Sequence, residues 1–292
     1  MAEKYKFALL GTPIEHSLSP DIHKIFAEGC ELDIDYIKID TDKSQLKDTV
    51  EQLKSEGFSG FNCTMPLKEE IIKYIDEKSE QCEFLNVCNT VKISDNILSG
   101  HTTDGSGMVA GMRYNGAEVT DKNILVFGAG GTTKSVVLSL ILNKAKKIII
   151  LNRSKKNLDI IKNLFAGDGA HDVPCVKIFD LFNKDNAEEY IKNYDIDILI
   201  NTSSLGMKRF EESPAFDPDY HFLGLLKKEA AVVDSVYNPL MTKMLNEAQG
   251  RGLKIIDGFW MLVYQGAIAF EIWTGEKIPD EYIEKAHGII KR

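Results

Sequence analysis

The sequence has few of the features that mark membrane-spanning, secreted or nucleic-acid-binding proteins. No apolar run approaches the roughly 18 residues of a membrane-spanning helix, and the apolar run near the N-terminus is too short for a signal peptide. Positive charge is also scarce, because 35 lysines and arginines stand against 44 aspartates and glutamates, giving a net charge of −9. We therefore expect neither a nucleic-acid partner nor a membrane partner.

Cysteines and histidines are too few and too scattered to predict a disulfide framework or a metal site. The five cysteines are odd in number and lack the spacing of zinc or redox motifs, and the six histidines include no H-x-x-x-H pair. Unpaired cysteines are typical of proteins in reducing compartments. The sequence therefore predicts a cytoplasmic protein without a bound metal.

Apolar runs of strand length alternate with amphipathic runs of helix length along the whole chain. With 292 residues, of which 43% are hydrophobic, the chain has enough material for one large or two ordinary domains. Alternating strands and helices predict α/β domains with mainly parallel sheets. A stretch rich in glycine, threonine and serine at residues 100–107 is the predicted domain boundary.

The strongest local motif lies at residues 124–135. An apolar run predicts a buried strand, and Gly128, Gly130 and Gly131 follow it directly, ahead of a helical run. A glycine turn between a strand and a helix is a phosphate-binding arrangement. The dinucleotide fingerprint and the P-loop both match in part, and both meet Thr133 where a small residue is expected. Because a β-branched residue resists positive φ, this mismatch counts more against the P-loop, although residues 230–234 resemble a Walker B strand.

The segment after the next predicted strand favours NADP over NAD. Asn152, Arg153 and Ser154 begin about 24 residues after Gly128. Near this position an acidic residue would hold the ribose hydroxyl of NAD, whereas an arginine suits the 2′-phosphate of NADP. The alternative for Arg153 is a solvated basic helix start, which the spacing from the glycines disfavours.

Several polar residues stand in places that allow either a structural or a functional role. Ser19 is predicted to cap a helix whose first residue is Pro20, and Ser17 with Ser19 offers paired hydroxyls for a carboxylate. Lys68 is predicted in the first turn of a helix that begins at Pro66, where the helix dipole disfavours a cation. It is therefore either a solvated surface residue or a functional amine.

Five further polar residues are open to the same two interpretations. Asp104 either caps the helix that follows it or pairs with a catalytic group. Asn89 stands in a predicted strand at residues 85–93, and Gln265 in an apolar helix, where a buried amide needs hydrogen-bond partners. Thr202 and Ser203 follow a predicted strand, at the end where doubly wound sheets bind ligands.

Together these stretches resemble the shikimate dehydrogenase family along the whole chain. The matching runs are residues 17–20, 62–68, 89–90, 103–105, 128–131, 152–154, 201–207, 237–239, 257–258 and 265–267. The resemblance implies an N-terminal α/β substrate domain with a mainly parallel sheet, followed by a Rossmann-type dinucleotide-binding domain, with the C-terminal helices returning to the first domain. The implied domains are residues 1–103 plus about 262–292, and residues 104–261.

The resemblance also implies the reaction and its participants. In the family, 3-dehydroshikimate is reduced with NADPH to shikimate, a step of chorismate and aromatic amino-acid biosynthesis. An ammonium group beside the ketone can donate the proton and stabilise the developing alkoxide, so Lys68 and Asp104 would be the catalytic pair. The implied substrate-binding residues are Ser17, Ser19, Thr64, Asn89, Tyr237 and Gln265. The implied cofactor-binding residues are Gly128, Ala129, Gly130, Gly131, Thr132, Asn152, Arg153, Ser154, Thr202, Ser203, Gly258 and Met261. A monomer or a homodimer without a metal is expected.

The chain departs from the usual family pattern at a few positions. Thr132 and Thr133 stand where two alanines are usual, and Thr102 stands where an asparagine is usual. Asn86 and Cys88 differ beside Asn89, close to the implied substrate ring. A quinate or shikimate dehydrogenase with a broader cofactor range, including NAD, is therefore an alternative. More distant alternatives are a non-catalytic NADP-binding regulator and a P-loop nucleotide-binding protein.

Overall fold

The computed structural model describes residues 4–166, 176–181, 184–207 and 220–291. The chain divides into two compact units, which we call the N-terminal unit (residues 1–107 and 262–292) and the Rossmann unit (residues 108–261). The α/β fold class is confirmed, including the return of the C-terminal helices to the first unit. Within the described ranges, no helix is long and apolar enough to cross a membrane.

The first part of the chain alternates strands with helices. In order it forms β1 (Tyr5–Gly11), α1 (Ser19–Gly29), β2 (Ile34–Asp40), α2 (Leu46–Ser55), β3 (Gly60–Cys63), β4 (Glu77–Lys78), α3 (Glu80–Leu85), β5 (Thr90–Ser94), β6 (Ile97–His101) and α4 (Asp104–Tyr114). Its sheet has the order β2-β1-β3-β5-β6-β4. β1 pairs in parallel with β2 and β3, whereas β5 is antiparallel to both β3 and β6. The central strand β1 is buried from Phe7 to Gly11, as expected for a strand covered on both faces.

The Rossmann unit contains a second six-stranded sheet in which every pairing is parallel. Its elements are β7 (Asn123–Phe127), α5 (Gly131–Leu142), β8 (Lys147–Asn152), α6 (Lys155–Ala166), β9 (Val176–Leu181), α7 (Lys184–Tyr194), β10 (Ile198–Asn201), β11 (Ala231–Asp234), α8 (Lys243–Gly250) and β12 (Lys254–Ile256). The sheet order is β12-β11-β10-β7-β8-β9. The strand order reverses between β7 and β10, and ligands of doubly wound sheets bind at such a reversal. The apolar residues at 173–178 also predict a strand; β9 contains the last three of them, and residues 173–175 lie outside the described ranges.

The chain ends with α9 (Gly258–Thr274) and α10 (Asp280–Gly288). α10 packs against α1, and Lys285 Nζ lies 2.7 Å from both carboxylate oxygens of Glu28. Trp273, near the end of α9, donates its indole N–H to the carbonyl of Val91 on β5. These contacts explain why sequence-distant helices complete the N-terminal unit.

Two local predictions about the N-terminal unit are wrong. No helix begins at Pro66: the chain turns there, with Leu67 N donating to Thr64 O, and the carbonyl of Lys68 accepts from Cys88 N instead of from a helical amide. The next helical residues form a short 3-10 helix at Ile71–Tyr74. The strand predicted at residues 85–93 begins only at Thr90. The predicted start of that strand belongs to α3, which Ser79 caps by accepting from Cys82 N and which ends at Leu85.

Candidate active site

A lysine–aspartate ion pair lies at the centre of the polar residues of the N-terminal unit. Lys68 Nζ is 2.5 Å from Asp104 Oδ2, and the two side chains are 18% and 6% exposed. Lys68 reaches the pair from the turn after β3, and Asp104 is the first residue of α4. A nearly buried carboxylate needs a partner, and an ammonium held this way is oriented while it keeps some access to water. Asp104 therefore does pair with the lysine that the sequence singled out.

Asn89 organises the second oxygen of Asp104. Its Nδ2 donates to Asp104 Oδ1 at 3.0 Å and to Thr103 Oγ1 at 2.9 Å, while its Oδ1 accepts from Thr103 N at 2.7 Å. Because a carboxylate only accepts hydrogen bonds, the amide must present its NH2 group to Asp104. Asn89 thus fixes the direction in which the carboxylate faces Lys68.

Gln265 on α9 belongs to the same network. Its Oε1 lies 3.3 Å from Asn89 Nδ2, and its Nε2 donates to Leu262 O at 2.9 Å. The close approach of α4 to α9 depends on Gly107, since a Cβ at that position would lie 2.5 Å from the backbone nitrogen of Gln265. The buried amide therefore has partners, and a glycine on the neighbouring helix makes its position attainable.

The two serines at the start of α1 are hydrogen-bonded to each other. Ser19 is already helical and its side chain caps nothing, so the predicted N-cap at Ser19 is wrong. Instead, Ser17 Oγ accepts from Ser19 N at 3.3 Å and lies 3.1 Å from Ser19 Oγ. The Ser19 hydroxyl is thereby free of a capping role.

Tyr36 and Asn62, which we did not assign as site residues from the sequence, extend the network around Asn89. Tyr36 OH donates to Asn62 Oδ1 at 2.8 Å, and Asn62 Nδ2 donates to Asn89 O and to Thr90 Oγ1, each at 3.0 Å. Burial raises the pKa of Tyr36, which keeps its hydroxyl protonated as a donor. These hydrogen bonds connect Tyr36 to the network that holds the ion pair, and its sequence signal was polar residues within β2 and β3.

In the Rossmann unit, the glycine turn has the geometry of a dinucleotide site. Gly128 has φ +124°, and a Cβ there would lie 2.7 Å from Thr202 Oγ1, so no larger residue fits. At Gly130 no atom lies within 4 Å of the Cβ position, which leaves open space in front of α5. The first turn of α5 carries no acidic residue. A glycine turn at a helix N-terminus without acidic residues suits a diphosphate group.

The helix begins at Gly131, only three residues after Gly128, so the chain makes a short turn. A P-loop would need a longer loop to wrap phosphates, and the turn therefore does not support that alternative. Asn152 ends the neighbouring strand β8 and donates to Ser154 O at 3.1 Å. Arg153 is exposed on the same turn. This is the strand end at which a 2′-phosphate is held in NADP-binding sheets.

A buried carboxyl group ties together the two loops that follow β10 and β11. Asp234 accepts from Asn201 Nδ2 at 2.9 Å, Thr242 Oγ1 at 2.7 Å and Val236 N at 2.9 Å. Burial raises the pKa of Asp234 to about 7, in spite of these donors. Asn201 in turn accepts from Ser203 N and Oγ. Asp234, which we did not predict, thereby shapes the loop that carries Thr202 and Ser203.

The structure divides the predicted site residues between its two units. In the N-terminal unit it brings together Lys68, Asp104, Asn89 and Gln265, it joins Ser17 to Ser19, and it places Thr64 directly after β3. The Rossmann unit holds Gly128, Ala129, Gly130, Gly131, Thr132, Asn152, Arg153, Ser154, Thr202, Ser203, Tyr237, Gly258 and Met261. Burial raises the pKa of Tyr237, so this phenol is a hydrogen-bond donor at neutral pH. In the part of the chain that the structure describes, no three His, Cys, Asp or Glu side chains are grouped to hold a metal.

A Rossmann unit with a dinucleotide turn, joined to an α/β unit that carries a lysine–aspartate pair, defines the class of nicotinamide-dependent oxidoreductases. Comparison with known proteins then gives the family. Residues 9–91 match the profile of the shikimate dehydrogenase substrate binding domain, residues 111–205 that of shikimate/quinate 5-dehydrogenase, and residues 258–286 that of the shikimate 5′-dehydrogenase C-terminal domain. The chain is 39% identical over 279 residues to the NADP(+) shikimate dehydrogenase of Alkaliphilus oremlandii, covering 95% of this chain and 94% of the relative. The chain belongs to the shikimate dehydrogenase family, which confirms the resemblance stated above.

Solved structures agree with this assignment over nearly the whole chain. The shikimate 5-dehydrogenase of Listeria monocytogenes, in complex with shikimate and NAD, is 30% identical with a TM-score of 0.86, covering 98% of this chain and 96% of the other. The enzyme of Thermus thermophilus, in complex with NADP(H) and shikimate, is 29% identical with a TM-score of 0.82, covering 98% and 99%. Among such relatives, both nicotinamide cofactors therefore occur in crystal complexes.

Proposed function

We propose that this chain is an NADP-dependent shikimate dehydrogenase that interconverts 3-dehydroshikimate and shikimate in chorismate biosynthesis. The observation that carries the proposal is the Lys68–Asp104 pair, held by Asn89 in a largely buried network. A regulator that only binds a nucleotide has no need for a buried ammonium fixed in this way. The names of the relatives supply the substrate and the cofactor.

The cofactor supplies the hydride that reduces the ketone. The work of the chain is then to bind the substrate, to orient it and to provide a proton. Lys68 Nζ donates a proton to the oxygen that gains negative charge, and the neutral amine regains a proton from water through its 18% exposed side chain. In the oxidative direction the same amine accepts the proton of the hydroxyl group.

Asp104 and the residues around it hold the geometry of this transfer. Asp104 Oδ2 keeps the amine in place, and Asn89 holds the other oxygen of the carboxylate. Ser17 and Ser19 hold the substrate carboxylate, and the pocket for its hydroxyl and carboxylate groups is lined by Thr64, Asn89, Gln265 and Tyr237. In the Rossmann unit, the turn from Gly128 to Thr132 holds the diphosphate, and Arg153 with Asn152 and Ser154 holds the 2′-phosphate. Thr202, Ser203, Gly258 and Met261 complete the nicotinamide side.

The first experiment measures reduced-nicotinamide absorbance with shikimate or quinate, each with NADP or NAD. Turnover with shikimate and NADP at a kcat/KM well above the other three pairs is the expected result. Comparable turnover with quinate and NAD would instead assign the broader quinate/shikimate activity. Cofactor binding without turnover of either substrate would point to the regulator.

The second experiment tests the proton donor. Lys68→Met removes the ammonium while it keeps the length of the side chain, and we expect kcat to fall by roughly 10²- to 10⁴-fold, the usual contribution of general acid–base catalysis. The KM for shikimate should change much less. The matched control is Lys73→Met, since Lys73 lies in the same segment but is exposed and paired with Glu70. Equal activity of the two variants would remove Lys68 from the mechanism.

Compartment and assembly belong to the same proposal. The four described cysteines, Cys30, Cys63, Cys82 and Cys88, are free thiols and three of them are buried, which supports the cytoplasm. We propose a monomer or a homodimer, without a nucleic-acid or membrane partner, and light scattering distinguishes the two assemblies.

A further inference from the structure

The threonine that departs from the dinucleotide fingerprint has a defined set of contacts. Thr133 is fully buried in the first turn of α5. Its Oγ1 accepts from Gly130 N at 3.1 Å and lies 2.8 Å from Thr202 Oγ1. Thr202 Oγ1 donates to the carbonyl of Phe127 at 2.8 Å. A residue that would be expected to crowd the turn is therefore hydrogen-bonded across it.

The direction of each hydrogen bond follows from counting protons. A hydroxyl has a single proton, and that of Thr202 goes to Phe127 O, so Thr133 must be the donor in the contact between the two hydroxyls. The chain therefore runs from Gly130 N–H through Thr133 and Thr202 to the carbonyl of Phe127. Every member is satisfied, and such connected bonds reinforce one another in a buried setting.

This chain of hydrogen bonds bridges the reversal of strand order. Gly130 lies in the glycine turn after β7, and Thr133 lies in the first turn of α5 that follows it. Thr202 follows β10, the strand on the other side of the reversal. Both hydroxyls also pack against Gly128, at 2.7 and 3.0 Å from its Cβ position. A residue without a hydroxyl at position 133 would remove the side-chain hydrogen bond between the two loops and the acceptor of Gly130 N.

We propose that Thr133 is a positioning residue, which with Thr202 couples the glycine turn to the loop after β10 and preorganises both for the dinucleotide. The inference rests on the proposed cofactor site and goes beyond it, because Thr133 acts through Gly130 and Thr202. Loops ordered before binding lose less conformational freedom on binding. This preorganisation concerns the part of the cofactor site that NADP and NAD share, so it should affect the affinity for both.

The test measures dissociation constants of NADPH and NADH by nicotinamide fluorescence for Thr133→Val, Thr202→Val and the double variant. We expect each single variant to weaken both cofactors by the same factor, roughly two- to tenfold, the range for a lost buried hydrogen bond. The double variant should be about as weak as one single variant, because either change breaks the same chain. Thr133→Ser keeps the hydroxyl and should restore binding. Arg153→Ala, in contrast, should weaken NADPH alone.

Three further readouts separate positioning from general damage. The kcat at saturating cofactor and the KM for shikimate should stay at the wild-type values in Thr133→Val. In the protein without cofactor, exchange of the Gly130 amide proton with solvent should be faster in Thr133→Val than in wild type. Additive effects in the double variant, or wild-type affinity in Thr133→Val, would overturn the inference. Failure of wild type to bind either cofactor would instead overturn the proposed function.

Discussion

His23 makes the stability of the N-terminal unit depend on pH, in a way whose sign and size follow from its surroundings. The imidazole is 1% exposed on α1 and stacks on Tyr36 with ring centroids 4.5 Å apart. Phe26, Phe270 and Trp273 surround it. Among the described residues, neither ring nitrogen has a hydrogen-bond partner. Burial alone lowers the pKa of His23 from 6.5 to about 3.

The sign of the effect follows from which state binds the proton. Below pH 6.5 the unfolded chain protonates His23 while the folded chain does not, so stability is lost as the pH falls toward 3. The whole shift corresponds to about 5 kcal/mol, and about 2 kcal/mol of it is already lost between pH 7 and pH 5. His23→Phe keeps an aromatic ring but cannot be protonated. It should also be more stable at neutral pH by about 1–3 kcal/mol, because it removes two unpaired buried nitrogens.

The assay is urea unfolding followed by the fluorescence of Trp273, which lies 5.3 Å from His23 in ring-centroid distance. A Trp260→Phe background leaves Trp273 as the single tryptophan, since the chain has two. The stability gap between His23→Phe and its parent should widen by about 2 kcal/mol from pH 7 to pH 5. The matched control is His16→Gln, since His16 is exposed. An equal gap at both pH values would refute the argument from burial.

Two further substitutions test how packing supports the site. Gly107→Ala should destabilise the protein by about 1–3 kcal/mol, because its Cβ would lie 2.5 Å from Gln265 N. It should also raise the KM for shikimate but not the KM for NADP. Urea unfolding measures the first effect and steady-state kinetics the second. Its control is Gly250→Ala, a helical glycine with nothing within 4 Å of the Cβ position, where no loss is expected. Thr242→Val should cost about 2–4 kcal/mol in urea unfolding, because it removes both the cap of α8 and a hydrogen bond to buried Asp234. Thr120→Val, on an exposed threonine, should cost far less.

Those features of the site that follow from a few adjacent residues could be predicted from the sequence. The glycine turn needs only a strand, three glycines and a helix in succession, and the position of Arg153 needs only the next strand. The alternation of strand-length and helix-length runs was enough to predict the α/β class, a prediction that the structure confirms. The assignment of individual residues to catalysis and binding stays a prediction.

The interior network could not be predicted, because its members are distant in the chain and meet only through the sheet. Tyr36 and Asn62 are 26 residues apart, on strands that both flank β1. Local rules also failed where a long-range contact replaced a local one. The carbonyl of Lys68 accepts from Cys88 N, so the helix expected from Pro66 does not form. Ser19 is hydrogen-bonded to Ser17 and does not cap its helix.

The contacts of Thr133 show why a departure from the family pattern is informative. Thr133 looks unfavourable when each position is judged alone, because a β-branched side chain replaces a small one beside a glycine turn. The structure places a second threonine, Thr202, at hydrogen-bond distance on the neighbouring loop. The two residues are 69 positions apart, so a motif read along the chain contains only one of them. A substitution that breaks a local rule is thus best judged together with the residue that its side chain contacts, and this pair is the unit that mutagenesis of the cofactor site should address.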